Sequence, residues 1–156
     1  VKHMGKTAKK VAILMGSPRD DEKMQGASDM LERFGVQHEV HVMSAHRSPA
    51  EVAAFASGAR ENGFGALICG AGMAAHLAGA VAAHSTLPVI GVPLSGGIAD
   101  GLDALLSTVQ MPRGIPVASV AVNGSANAGI LAVEMLSISD DDLAEQLAAF
   151  RAAGAR

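Results

Sequence analysis

The sequence predicts an α/β protein, a flavodoxin-like three-layer α-β-α sandwich built on a five-stranded parallel sheet. Two observations carry this expectation. Short β-type apolar runs alternate with helical patterns along the whole chain, and each run ends in a Gly-, Pro-, Ser- or Asn-rich turn. Five such runs are separated by stretches long enough for a crossover helix, which favours parallel connections and a doubly wound sheet. The 156 residues suit one domain around a single core.

The first strand is residues 11–15, bounded by Gly16-Ser17-Pro18 and followed by a helical pattern over 20–34 that Gly35 ends. The second strand, about 39–43, leads to Ser44-Ala45-His46-Arg47 and a helix over 49–61. The third, 66–69, runs into Gly70-Ala71-Gly72 and an Ala-rich helix over 73–84. A fourth strand over 88–92, a loop over 93–99 and a short helix over 100–108 come next. After Met111-Pro112-Arg113-Gly114 the pattern gives a fifth strand over 117–122, then helices over 125–136 and 140–153. Residues 1–9 precede this pattern and read as a disordered or tag-derived tail, because His3-Met4 resembles an expression-tag junction; residues 10–156 form the single domain.

Composition narrows the function. With 49% hydrophobic and 17% charged residues the chain is too apolar for a disordered protein. Aromatic residues are 3%, with no Trp or Tyr, and the net charge is -3, so neither base stacking nor phosphate-backbone attraction supports a nucleic-acid partner. The same lack of Trp and Tyr argues against a flavin site. A lone Cys69 permits no internal disulfide and offers no zinc-type spacing, which fits a reducing, cytoplasmic setting; no signal peptide is evident. Residues 62–99 contain no Asp, Glu, Lys or Arg, yet Gly, Pro and His interrupt them too often for a membrane span. Such a charge-free segment needs covering, which points to a central position or to self-association.

In doubly wound sheets ligands sit beyond the carboxyl ends of the strands, so the loops after the strands are the candidates. Ser17-Pro18 reads as an N-cap followed by proline at the first helical position, and Asp20 complements the helix dipole; beside Arg19, the same turn offers an anion site. Ser48-Pro49-Ala50-Glu51 has the spacing of a capping box, which leaves His46 and Arg47 just outside the helix. Histidine can give and take a proton near neutral pH, and arginine makes forked contacts to phosphate or carboxylate. Both also suit an ordinary solvated loop. Gly70-Ala71-Gly72 is a poor dinucleotide fingerprint, since it follows the third strand and no acidic residue appears before Asp100; its glycines would let a ligand approach the backbone. His76 would lie in the first turns of the next helix, as a ligand-facing residue or as a core histidine. Six histidines do not make a metal site here: His38 and His41 point to opposite faces of a strand, and no HExxH or His/Cys cluster occurs. Cys69 reads as packing rather than as a nucleophile.

These loops together resemble the class I 5-(carboxyamino)imidazole ribonucleotide mutase family of purine biosynthesis, over about residues 11–151. The resemblance is carried by Met15-Gly16-Ser17 with Asp20 and Met24, by Ser44-Ala45-His46-Arg47, by Gly70-Ala71-Gly72 with Ala74-Ala75-His76-Leu77, and by residues 110–117 from Gln110 to Val117. It implies a flavodoxin-like octamer whose substrate is a ribonucleotide bearing a labile N-carboxylate. It further implies His46 as the general acid and base, with Ser17, Asp20, Ser44, Ala45, Arg47, Gly72 and His76 binding substrate. No metal, nucleotide or other cofactor is implied. The implied reaction is decarboxylation, then recarboxylation at the neighbouring ring carbon and loss of that carbon's proton.

The chain departs from the family pattern in four places. Arg19 replaces a small hydroxyl residue, Met73 stands where a third glycine is usual, Ala78 replaces a proline, and the loop over 94–99 differs. Two alternatives stay open: a diverged, non-catalytic ribonucleotide-phosphate binding protein, motivated by Arg19 and Met73, and the related carboxylase that uses free carbon dioxide. The second is disfavoured by Arg47, where that branch typically has lysine, and by the Ala75-His76-Leu77 run, which that branch lacks.

Overall fold

The computed structural model describes residues 8–156; of the expected tail over 1–9, residues 1–7 lie outside the described residues. Five parallel strands, β1 (Lys10–Met15), β2 (His38–Val42), β3 (Phe64–Gly72), β4 (Val89–Leu94) and β5 (Ala118–Ser119), form one sheet in the order β2-β1-β3-β4-β5. The helices are α1 (Asp21–Arg33), α2 (Pro49–Gly58), α3 (Leu77–His84), α4 (Leu102–Val109), α5 (Ser125–Ser137) and α6 (Asp141–Ala152). This is the expected flavodoxin-like sandwich.

Strand alternation divides the core. Val11, Ile13 and Met15 face one side, where Met24, Ala27 and Leu31 of α1, Ala132 and Val133 of α5, and Leu147 and Phe150 of α6 cover them. Ala12, Leu14, Leu67 and Cys69 face the other, against Val52 and Ala56 of α2 and Leu77 and Val81 of α3. Because β1, β3 and β4 are buried on both faces, their sequences read as continuous apolar runs without alternation. The sheet order reverses between β1 and β3, so the loops after these strands diverge and open a crevice.

The differences from the expected elements have local causes. β3 extends through Gly72, because Ala71 and Gly72 continue to pair with Pro93 and Leu94 of a longer β4. The glycine run is therefore strand end rather than loop. At Gly70 a Cβ would collide with the buried Met24 side chain, so this glycine serves helix-to-sheet packing and not ligand approach. The following helix starts at Leu77 rather than at 73, since Met73 has a positive φ of 52° that no helix accommodates; His76 thus precedes the first turn. The second helix ends at Gly58, where Phe64 N–H reaches back to the Ala59 carbonyl (3.1 Å) around Gly63 at φ 89°. The fifth strand is only two residues long, Ala118 and Ser119 pairing with Ile90 and Gly91 of β4.

Capping is mixed. Ser17 caps as expected, its hydroxyl accepting from the Arg19 N–H (3.3 Å). The expected capping box at Ser48 does not form: the Ser48 side chain makes no cap bond, and the chain enters α2 through Pro49 while the Ser44 hydroxyl accepts from the Arg47 N–H (3.2 Å). Cys69 is buried, and burial pushes its thiol far above the ordinary value, so it packs. Among the described residues no helix is long and apolar enough to cross a membrane.

Candidate active site

The crevice beyond the carboxyl ends of β1, β2, β3 and β4 is a cavity of about 480 Å³, within the size range of small-molecule sites. Its lining brings together all eight residues expected from the sequence: Ser17, Asp20, Ser44, Ala45, His46, Arg47, Gly72 and His76. Residues separated by up to 59 positions meet here because parallel strands deliver their following loops to one edge of the sheet. A larger open groove of about 1060 Å³ runs past Leu87, Pro88 and Val89 at the beginning of β4. It lies at the wrong end of the sheet for a ligand of this fold class.

Each loop is set by its own backbone bonds. Gly16 N–H donates to the Gly70 carbonyl (3.3 Å) and Asp20 N–H to the Ser17 carbonyl (3.0 Å), so the turn after β1 is held against β3. Ser48 N–H donates to the Ser44 carbonyl (2.8 Å), which winds Ser44-Ala45-His46-Arg47 into a tight turn and leaves His46 and Arg47 exposed above the buried Ala45. The rings of His46 and His76 stack with centroids 5.1 Å apart and planes at 19°. Ala74, Ala75 and Ser107 join this pair around a smaller opening beside the cavity.

The other part of the cavity is cationic. Arg19, Lys23 and Arg47 line it against one carboxylate, Asp20, although the chain as a whole is anionic. Burial raises the Asp20 carboxyl above its ordinary value, while Lys23 and the Ser17 backbone N–H pull in the opposite direction. A raised acid binds its proton more tightly in the folded than in the unfolded chain, so its contribution to stability is full below the ordinary value of 3.8 and is lost as pH rises through the raised value. Asp20→Asn removes this loss. Its thermal midpoint relative to the parent is expected to be more favourable at pH 7 than at pH 3, as measured by circular dichroism melts at both; a relative gain confined to pH 3 would reverse the sign.

Sequence reasoning did not single out Lys23, Ser95, Gly96 or Asn123. Lys23 lines the cavity and donates to the Ser95 carbonyl (2.8 Å), and Asn123 holds Ser95 through two bonds, accepting from its N–H (3.0 Å) and donating to its hydroxyl (2.8 Å). The signal for Lys23 was its place three residues after Asp20, on the same face of the first helical turn. Met73 also lines the cavity and is 65% exposed, so the substituted glycine position keeps a glycine-like backbone with a long apolar side chain on it.

Among the described residues no group of three or more His, Cys, Asp or Glu is placed to hold an ion. His38 and His41 are engaged elsewhere, His38 Nδ1 with the Val36 carbonyl (3.3 Å) and His41 Nε2 with the Glu39 carboxylate (3.0 Å).

Comparison with known proteins identifies the family of the chain. Residues 10–156 match the family model described as AIR carboxylase. The chain is 49% identical over 144 residues to N5-carboxyaminoimidazole ribonucleotide mutase of Vibrio parahaemolyticus, covering 91% of this chain and 89% of that protein. It is 48% identical over 141 residues to the mutase of the same name from Saccharolobus solfataricus, covering 90% and 89%. It is also 50% identical over 141 residues, or 90% of its length, to the chloroplastic phosphoribosylaminoimidazole carboxylase of Vigna aconitifolia, of which it spans only 25%. A crystal structure of Treponema denticola PurE superposes with a TM-score of 0.84 at 26% identity, covering 94% of this chain and 92% of that one. On the extent of the family match and the identity to relatives that it nearly spans, the chain belongs to the AIR carboxylase family, in the company of the N5-carboxyaminoimidazole ribonucleotide mutases.

Proposed function

We propose that this protein is the isomerase of purine biosynthesis that moves a carboxylate from the exocyclic nitrogen to the neighbouring ring carbon of aminoimidazole ribonucleotide. The observation that carries the reading is the stacked pair of His46 and His76 opening onto the same cavity as Arg19, Lys23 and Arg47. A proton carrier thus sits within reach of a pocket suited to an anionic nucleotide.

In this reading Ser17, Arg47 and the turn at the start of α1 take the phosphate and ribose, with Asp20, Ser44, Ala45, Gly72 and His76 completing the binding surface. His46 protonates the exocyclic nitrogen as its carbon–nitrogen bond breaks, which releases carbon dioxide and leaves the electron pair on nitrogen. The ring carbon then forms a bond to the same carbon dioxide, and His46 removes the proton from that carbon, so acid and base are the same group and the net change is an isomerisation. The small walls offered by Ala45, Ala71, Gly72 and Ala74 leave room to retain the gas molecule between the two steps. No cofactor enters this scheme. Residues 10–156 are taken as one catalytic domain acting in the cytoplasm as a homo-oligomer, an octamer by family resemblance. Self-association is supported by Ile98, Leu102, Leu106 and Val109, large apolar side chains exposed on and beside α4.

The test is conversion of 5-(carboxyamino)imidazole ribonucleotide to its carbon-carboxylated isomer, followed by absorbance without added bicarbonate. Turnover under these conditions is expected. Consumption of aminoimidazole ribonucleotide plus bicarbonate, with none of the N-carboxylated substrate, would assign the carboxylase activity instead; binding without turnover of either would assign the diverged binder.

A further inference from the structure

The loop between β4 and α4, which gives the cavity its Ser95–Gly96 wall, has a backbone held in an unfavourable conformation. Gly96 and Gly101 have φ of 121° and 123°, and Ala99 and Asp100 take φ of 48° and 54°, a region that ordinary residues enter only when their surroundings force it. Side chains from the adjacent helix and from distant elements hold it there. Asp103 accepts from the Ile98 N–H (3.1 Å) behind the loop. Asn123, itself at φ 59° where asparagine is better tolerated than most residues, grips both the N–H and the hydroxyl of Ser95. Lys23 reaches across the cavity edge to the Ser95 carbonyl, 72 residues away in sequence. The Lys23 backbone is anchored in turn, its carbonyl accepting from the Ser125 hydroxyl (2.7 Å).

We infer that Lys23 is a positioning residue for the substrate cavity, acting through Ser95 to hold the wall formed by Ser95 and Gly96 in its binding geometry, with Asn123 as the opposing grip. The inference rests on the assignment of this cavity to the ribonucleotide. Its physical basis is that an ammonium-to-carbonyl bond is charge-assisted and stronger than a neutral one, and that a wall tied from two sides loses its place when either tie is cut. Lys23 stands one turn from Asp20, at the Ser17–Asp20 end of the cavity. Losing it therefore weakens binding of substrate and transition state together, a change that raises KM and leaves kcat in place.

The experiment compares Lys23→Met, Lys23→Arg and the parent by steady-state kinetics and by amide hydrogen exchange at Ser95. Lys23→Met is expected to raise KM for 5-(carboxyamino)imidazole ribonucleotide about tenfold with kcat within about twofold, and to speed Ser95 exchange about tenfold. Lys23→Arg keeps a charged donor and is expected to restore both to within about threefold of the parent. An unchanged Ser95 exchange rate in Lys23→Met overturns the inference, as does an unchanged KM in an active enzyme. If the parent itself fails to convert the substrate, the functional reading is what has failed, and Ser95 exchange still decides whether Lys23 holds the wall.

Discussion

His46→Asn is expected to lower kcat by about 10²–10⁴-fold while leaving affinity for the ribonucleotide within about threefold, the size of effect that follows loss of a general acid and base. Asparagine approximates the shape of the imidazole and retains hydrogen bonding, but it cannot carry a proton at neutral pH. The turn that presents His46 does not depend on its side chain, because Ser44 supplies both the hydroxyl that accepts from Arg47 N–H and the carbonyl that accepts from Ser48 N–H. Ser17, Asp20 and Arg47 stay in place, so the binding end of the cavity survives. Titration calorimetry with the reaction product and the absorbance assay separate the two quantities. If His46→Asn lost affinity in proportion to turnover, the ring would be a binding group and the proton would have to come from elsewhere, with His76, stacked on it at 5.1 Å, as the next group to replace.

Much of this arrangement was legible in the sequence for a simple reason. In a parallel sheet every strand delivers its following loop to the same edge, so short apolar runs followed by polar, turn-forming residues identify the ligand edge before any packing is known. Ser17, Asp20, His46 and Arg47 all lie within five residues of a strand's end, and all of them line the cavity. What the sequence concealed depends on contacts between distant elements. Gly70 looked like a ligand-approach glycine, and only the position of Met24, 46 residues earlier, shows that it makes room for a side chain. His76 looked helical because 73–84 is rich in alanine, but the left-handed backbone at Met73 delays the helix to Leu77 and frees His76 to meet His46. Ser95 and Asn123 carry no catalytic pattern at all; their pairing exists because Pro93 and Asn123 are brought together across the edge of the sheet, where Asn123 N–H donates to the Pro93 carbonyl (2.8 Å).

Gly129→Val is expected to be the most destabilising of the substitutions considered, lowering stability by about 3 kcal/mol through overpacking between two helices. For a chain of this length that corresponds to a fall of roughly 6–12 °C in the thermal midpoint. Intrinsic propensity points the other way, since glycine is less favourable in a helix interior than valine, but the difference is only a few tenths of a kcal/mol. The contact decides the sign. A Cβ on Gly129 would stand 2.9 Å from the Ala27 carbonyl oxygen and 3.2 Å from its Cα, and backbone atoms of α1 cannot swing aside as the end of a flexible side chain can. Gly26 forms the same kind of contact from the other helix, where a Cβ would stand 3.0 Å from the Ala126 nitrogen. Together these two glycines let α1 and α5 approach closely over Ala27 and Ala128, both fully buried. Gly129→Ala, with only the Cβ to place and up to about 1 kcal/mol of propensity in its favour, is expected to lose less than the valine variant. Midpoints in the order glycine, alanine, valine from highest to lowest would establish the backbone contact as the dominant effect; an alanine variant melting above the parent would show that propensity outweighs it. The same separation of helices bears on the site, because α1 carries Lys23 and α5 carries Ser125, whose hydroxyl holds the Lys23 carbonyl at 2.7 Å. A wedge at Gly129 is therefore expected to raise KM in the protein that still folds at 25 °C, in the direction of Lys23→Met and by a smaller factor.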